Sequence, residues 1–259
     1  YCRAGERDRH IVRMNNVLRL ASGVIVNSEA TLDELRSFAK ISGKTMPPTT
    51  VALLAPGVIG TSTRERPMAV PYFVVLSTIE PRKNHWLLLQ MWKSLVSSMG
   101  ESAPRLVMIG QRGWDCENVV YMLDRCKQLQ GFVFEYSNCT DEKLATYLSH
   151  AQALLFPSFA EGYGMPLVEA LAFGVPVIAS DLPVFKEVAG AIPEYVDPLD
   201  GKHWLDLVKE YTDSDSKLRT KQLARLKHTK IPTWTNHFSK VDALLEQLSR
   251  KKQMLEQTN

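Results

Sequence analysis

Cysteine is scarce in this chain. Four occur in 259 residues, at Cys2, Cys116, Cys126 and Cys139. They form neither a CxxC pair nor a Cys/His cluster with zinc spacing, so no metal site or redox motif is expected. So few thiols fit a reducing compartment, which points to the cytoplasm. Long apolar runs are also missing: none reaches the ~18 residues that would suggest a membrane span, and there is no signal-peptide pattern. Charge of one sign is limited to a net +3, without the basic clusters interleaved with aromatics that mark nucleic-acid binders. This excess suits anionic small molecules or loose contact with an anionic membrane face, and equally an ordinary solvated surface. What is present is ordinary globular composition, 45% hydrophobic and 23% charged, enough for one large core or two modest ones. The chain opens on Tyr rather than Met, so a fragment or processed chain is expected.

Near the start, Gly23–Ser28 is a short β-branched run ending in a serine. Ala30, Leu32, Leu35 and Phe38 then recur at helical spacing, which predicts a strand over 23–27 and a Ser28-capped helix over 29–39. A second strand is expected over 51–54. Residues 58–70 are polar and aperiodic, as in a linker. From Tyr72 the pattern changes. Apolar strands are expected at 72–77, 105–110, 131–135, 152–156, 175–179 and 194–197. Helices are expected near 84–98, 116–129, 141–150, 164–173, 183–189 and 201–212. Short apolar runs alternating with amphipathic helices predict an α/β, Rossmann-like doubly wound parallel sheet. Such sheets bind ligands beyond the carboxyl ends of their strands, so the loops there are the ones to read.

The loop after the first of these strands carries Glu80–Pro81–Arg82–Lys83–Asn84. Two adjacent cations at a helix start oppose the helix dipole, and their fork and point charge suit a diphosphate; the bland alternative is a solvated basic pair. No GxGxxG follows this strand, which disfavours an NAD-dependent enzyme. After the second strand, Gly110–Gln111–Arg112–Gly113–Trp114 allows a tight turn and close approach of a ligand to the backbone, or is simply a loop. After the third, Thr140–Asp141–Glu142–Lys143 reads as a capped helix start, and the backbone from Phe134 to Ser137 would flank a bound base. The fourth loop is the richest: Pro157-Ser-Phe-Ala-Glu-Gly-Tyr-Gly-Met-Pro-Leu-Val-Glu-Ala170. Gly162 and Gly164 leave amides free, Pro166 sits in the first helical turn, and the helix dipole completes an anion site. A carboxylate beside a phosphate needs another task, and hydrogen bonding to sugar hydroxyls is one. Glu161 stands at the mouth. Glu169 is either an exposed helix acid or a partnered acid among apolar neighbours.

Two glutamates eight residues apart around a Gly-x-Gly helix start resemble the Glu-x7-Glu motif of retaining glycosyltransferases. The stretch FAEGYGMPLVEALAFGVPVIASDLPVFKEVAG is similar to glycosyltransferase family 4, and IEPRKN and GQRGW to its bacterial mannosyltransferase branch. The resemblance runs from about Gly23 to the C-terminus. It implies the GT-B architecture of two Rossmann-like domains. Residues 1–56 would be the end of an acceptor-binding N-terminal domain, 57–70 the interdomain linker, 71–230 the nucleotide-sugar donor domain and 231–259 a crossover helix.

For the site, the resemblance implies Arg82 and Lys83 on the donor diphosphate and Glu161 on the transferred sugar, the three catalytic candidates. Gly162, Tyr163, Gly164, Met165, Pro166 and Leu167 would hold sugar and phosphate. Glu169 would bind the ribose, and Phe134, Glu135, Tyr136 and Gly110 would line the rest of the donor site. It further implies a retaining transfer without metal or cofactor, with GDP-mannose the favoured donor and a UDP-sugar the alternative. The acceptor would be a glycan or lipid-linked oligosaccharide of bacterial surface polysaccharide, handled in the cytoplasm at the inner face of the membrane. In the family a glycine is usual where Ser77 stands. Competing readings are a non-catalytic nucleotide-sugar-binding domain of a larger protein and a nucleotide-sugar epimerase or hydrolase of the same architecture.

Overall fold

The computed structural model describes residues 5–57 and 61–257, so residues 58–60 of the expected linker lie outside the described residues. The chain divides into two units, Tyr1–Ala55 with Pro232–Asn259, and Pro56–Ile231.

In the first unit, helix α1 (Glu6–Leu20) leads to strand β1 (Val24–Val26), helix α2 (Glu29–Ile41) and strand β2 (Thr49–Val51). Ser28 caps α2 as its sequence predicts, its Oγ accepting from Thr31 N at 3.0 Å. β2 pairs in parallel with β1 from Thr49 opposite Val24 to Val51 opposite Val26. It therefore begins two residues before the expected 51–54. Apolar content drew the expectation toward Leu53–Leu54, whereas the β-branched pair Thr49–Thr50 meets the ladder directly after Pro47–Pro48. α1 was not expected at all. Its only buried residue is Leu18, with Met14 packed partly buried on the same core, so its short apolar stripe of Ile11, Met14 and Leu18 is outnumbered by charged and polar residues. Leu18, Val26, Leu32, Leu35 and Ala39 form this unit's core.

The second unit is one six-stranded sheet. Strands β3 (Tyr72–Leu76), β4 (Arg105–Ile109), β5 (Val133–Tyr136), β6 (Leu154–Phe156), β7 (Val177–Ser180) and β8 (Glu194–Val196) are all parallel, in the order β5-β4-β3-β6-β7-β8. Four of them (β3, β4, β6 and β7) are buried over all or nearly all their residues, as strands covered on both faces must be. Helices α3 (His85–Met99), α4 (Glu117–Arg125), α5 (Asp141–Ser149), α6 (Met165–Ala172), α7 (Pro183–Ala189), α8 (Gly201–Thr212) and α9 (Lys217–Leu226) follow the strands. The expected helix 116–129 is split, because Cys126 is extended at ψ 98° and Lys127–Leu129 forms a separate 3-10 turn. α9 was not expected. It is a polar, basic helix whose one buried residue, Gln222, donates to the carbonyls of Val177 and Ile192 at 2.7 and 3.0 Å. Trp92 and Trp204 fill the core, fully buried, with their indole N–H groups on the carbonyls of Pro104 and Asp197.

The last helix, α10 (Trp234–Gln257), belongs again to the first unit. It lies within the crossover helix expected over 231–259, and Thr233 anchors its first turn by accepting from Asn236 N on Oγ1. Leu244 is buried, and His237 Nδ1 lies 3.2 Å from the carbonyls of Ala52 and Leu53.

Candidate active site

The strand order reverses between β3 and β6. Chain connections leave β3 toward β4 and β5 on one side and reach β6, β7 and β8 on the other. The loops leaving β3 and β6 therefore diverge in sequence but face each other at the carboxyl end of the sheet, where doubly wound folds bind ligands.

Those two loops are tied together. Phe159 N donates to Arg82 O at 2.9 Å, and Arg82 Nη1 donates to Ala160 O at 2.7 Å. Arg82 and Lys83 lie in a 3-10 turn, Pro81–Lys83, closed by Asn84 in the left-handed region (φ 56°). That turn, rather than the helix start expected from the sequence, presents both cations. Arg82 Nη1 lies 2.8 Å and Lys83 Nζ 2.6 Å from the two oxygens of Glu161. Glu80 takes the other side of Arg82 at 2.6 Å and also accepts from Trp114 Nε1 at 3.1 Å. Burial works against the Arg82 charge, but Glu161 first and Glu80 second raise its pKa above the usual arginine value. One charge network thus joins loops from β3, β4 and β6. Arg82, Lys83 and Glu161 were expected from the sequence. Glu80 and Trp114 lie in the same two loops, but nothing in the sequence shows that they meet Arg82 and each other.

The helix start beside this network has a shaped backbone. Gly164 caps α6 at φ 102°, and a Cβ there would lie 2.6 Å from the ring of Phe185. Phe185 stacks on Phe156 at 4.7 Å, and Lys83 Nζ sits 5.4 Å over the Phe156 ring. This aromatic floor admits only glycine at 164. Met165 and Pro166 occupy the first helical turn, Tyr163 and Leu167 are buried, and Gly162 is exposed with open space around it. The first-turn amides and the dipole of the eight-residue α6 make this end electropositive.

Glu169 lies about one turn inside α6, half-buried. Its carboxylate makes no hydrogen bond or ion pair among the described residues, and a Cβ on Gly57 would meet its Oε1 at 3.3 Å. Burial first, and Asp141 second, push its carboxyl pKa above the usual value. An acid held this way is poised to accept from hydroxyl donors.

Gly110 and Gly113, read from their spacing as allowing close approach of a ligand, are required to be glycine by the neighbouring loop. A Cβ on Gly110 (φ 151°) would lie 2.0 Å from Ser77 O, and one on Gly113 would lie 2.8 Å from Ile79 O. Their small size instead lets the β4 loop clasp the β3 loop, with Ile79 N donating to Gln111 O and Gly113 N to Ile79 O, each at 2.9 Å. Phe134, Glu135 and Tyr136 lie on the outermost strand β5, roughly 10 Å from β3 at two strand spacings. Glu135 is held by Arg112 (2.7 and 2.8 Å), which also grips Asp124. These hydrogen bonds, Glu135 first, raise the Arg112 pKa. The Tyr136 and Tyr147 hydroxyls are 2.8 Å apart, and Lys143 Nζ lies 4.2 Å over the Tyr136 ring.

The family model for glycosyl transferases group 1 matches residues 63–219. The chain belongs to this family. Over 121 residues it is 37% identical to the serotype-specific mannosyltransferase WbdA of Escherichia coli, covering 47% of this chain and 15% of that protein. Over 129 residues it is 34% identical to the O-antigen chain mannosyltransferase B of Escherichia coli, covering 50% and 33%. The chain therefore spans well under half the length of these curated relatives. A solved structure of an S. aureus TarM variant in complex with Fondaparinux, alpha-GlcNAc-glycerol and UDP matches with a TM-score of 0.69 at 17% identity, over 92% of this chain and 46% of that one. At that identity the likeness bears on the GT-B fold. Among the described residues no helix is long and apolar enough to cross a membrane, and no three His, Cys, Asp or Glu side chains group as metal ligands.

Proposed function

We propose that this glycosyltransferase chain is the donor-binding part of a retaining mannosyltransferase. Its donor is GDP-mannose, and its acceptor is a glycan or lipid-linked oligosaccharide of bacterial surface polysaccharide. It works in the cytoplasm at the inner face of the membrane. The names of the mannosyltransferase relatives support the sugar and the pathway class. The observation that carries the reading is the meeting of Arg82, Lys83 and Glu161 at the switch point beside the α6 start.

In this reading the diphosphate displaces the Glu161 carboxylate from the two cations and takes the α6 amides as further donors. Leaving-group charge is then neutralised by Arg82, Lys83 and the helix dipole, with no divalent cation required. The freed Glu161 faces the sugar hydroxyls, and Glu169 accepts from the ribose. The acceptor oxygen attacks C1 on the face the diphosphate leaves. The C1–O bond to phosphate breaks as the new C1–O bond forms, and the acceptor proton passes to the departing phosphate oxygen.

Thermal stabilisation by GDP, UDP and ADP, with and without chelator, tests this. A shift with GDP that survives chelator is the expected result. A shift that chelator abolishes would overturn the metal-independent part, and no shift with any nucleotide would overturn the donor-site reading.

A further inference from the structure

Ser77 is the first residue after β3 and is half-buried. Its Oγ lies 3.2 Å from Nε2 of His85. His85 is the first residue of α3 and is 2% exposed, and its Nδ1 has no hydrogen-bond partner. Burial first, and the charge of Lys83 second, lower the His85 pKa to about 4. The ring is neutral at physiological pH and carries a single N–H.

The position of that proton decides what Ser77 can do. A buried N–H with no acceptor loses its full solvation, about 1–3 kcal/mol, and orphaned buried N–H groups are rarer than under-satisfied acceptors. Nδ1, which has no partner, is therefore the bare nitrogen, and Nε2–H donates to Ser77 Oγ. Ser77 accepts from His85 and keeps its own O–H. Among the described residues nothing accepts that hydrogen. A hydroxyl that already accepts a hydrogen bond is polarised into a better donor. It stands at the strand end next to β6, just before the turn that carries Arg82 and Lys83.

We infer that Ser77 donates a hydrogen bond to a diphosphate oxygen of the bound nucleotide sugar, with His85 as the positioning residue behind it. This rests on the donor-site reading above. The amide of residue 77 already donates to Ile109 O at 3.0 Å, so the hydroxyl is the donor this position has to give.

Calorimetry of the 259-residue chain with GDP and with guanosine, supported by 15N NMR of His85, tests the inference. Ser77→Ala is expected to weaken GDP about tenfold, the fold-change of one charge-assisted hydrogen bond, while guanosine affinity is unchanged. Ser77→Thr, which keeps the hydroxyl, is expected to bind GDP as the wild type does. The His85 spectrum is expected to show a protonated Nε2 and a bare Nδ1. Unchanged GDP affinity in Ser77→Ala, equal losses for GDP and guanosine, or a protonated Nδ1 would each overturn the inference alone and leave the donor site standing. A wild type that binds none of GDP, UDP and ADP would overturn both.

Discussion

Lys83 Nζ lies 2.6 Å from Glu161 Oε1, although 78 residues separate them in the chain. With Arg82 on the second oxygen of the same carboxylate, Glu161 occupies the cationic turn that the proposed diphosphate needs. Binding is therefore a competition between two anions for one pair of cations.

Glu161→Gln removes one competitor. Free GDP is expected to bind more tightly to this variant than to the wild type, by about tenfold, since the ion pair that must be displaced is largely buried. Sugar transfer by the full-length enzyme carrying the substitution is expected to fall. Calorimetry checks the first and a transfer assay the second; weaker GDP binding would show that the cations need Glu161 to hold their place.

Arg82→Ala is expected to weaken GDP by about tenfold to a hundredfold while guanosine binds unchanged, because a charge-assisted, two-pronged contact to phosphate is lost. Trp114→Phe is expected to act in the same direction, but only by about threefold. It removes the indole donor from Glu80 and loosens the far side of Arg82. Equal effects on guanosine would assign both side chains to the nucleoside end instead.

Glu169 offers a pH test. Its folded-state pKa is raised, so the native state holds this proton more tightly than the unfolded chain. The group therefore opposes folding above its folded pKa, and that penalty disappears as pH falls below the unfolded value near 4.5. Glu169→Gln is expected to melt higher than the wild type at pH 7, with the gap closing as pH falls toward 4, and to bind nucleotide more weakly. A lower melting temperature at pH 7 would mean that the carboxylate stabilises the fold.

Gly110→Ala must fit a Cβ 2.0 Å from Ser77 O at φ 151°. Urea denaturation is expected to show a loss of about 2–4 kcal/mol, with the midpoint shifting at constant m-value. A variant as stable as the wild type would mean that the two loops separate at little cost.

Much of this was legible in the sequence. The six strands of the sheet and the helices after β3 through β8 carried strong periodicity. Arg82, Lys83 and Glu161 announced themselves by being charged where apolar or neutral residues would suffice. α1 and α9 are hard to read because each buries a single residue and charged side chains outnumber the few apolar ones. The backbone contact at Gly110 is not readable from the sequence, because a glycine demanded by a neighbouring backbone and one demanded by a ligand look alike in one dimension. His85 was invisible for the same reason: nothing in a lone histidine after two cations tells that its ring is buried against Ser77.

The clasp between the β3 and β4 loops, together with Arg112 holding β4 to β5 and Arg82 holding β3 to β6, makes four strand ends move as one piece. Retuning the donor by exchanging a single loop would break seams on both sides. An altered nucleotide preference is therefore more readily reached by grafting the whole rim as a cassette, or by substitutions that leave Gly110, Gly113, Arg112 and Glu80 untouched.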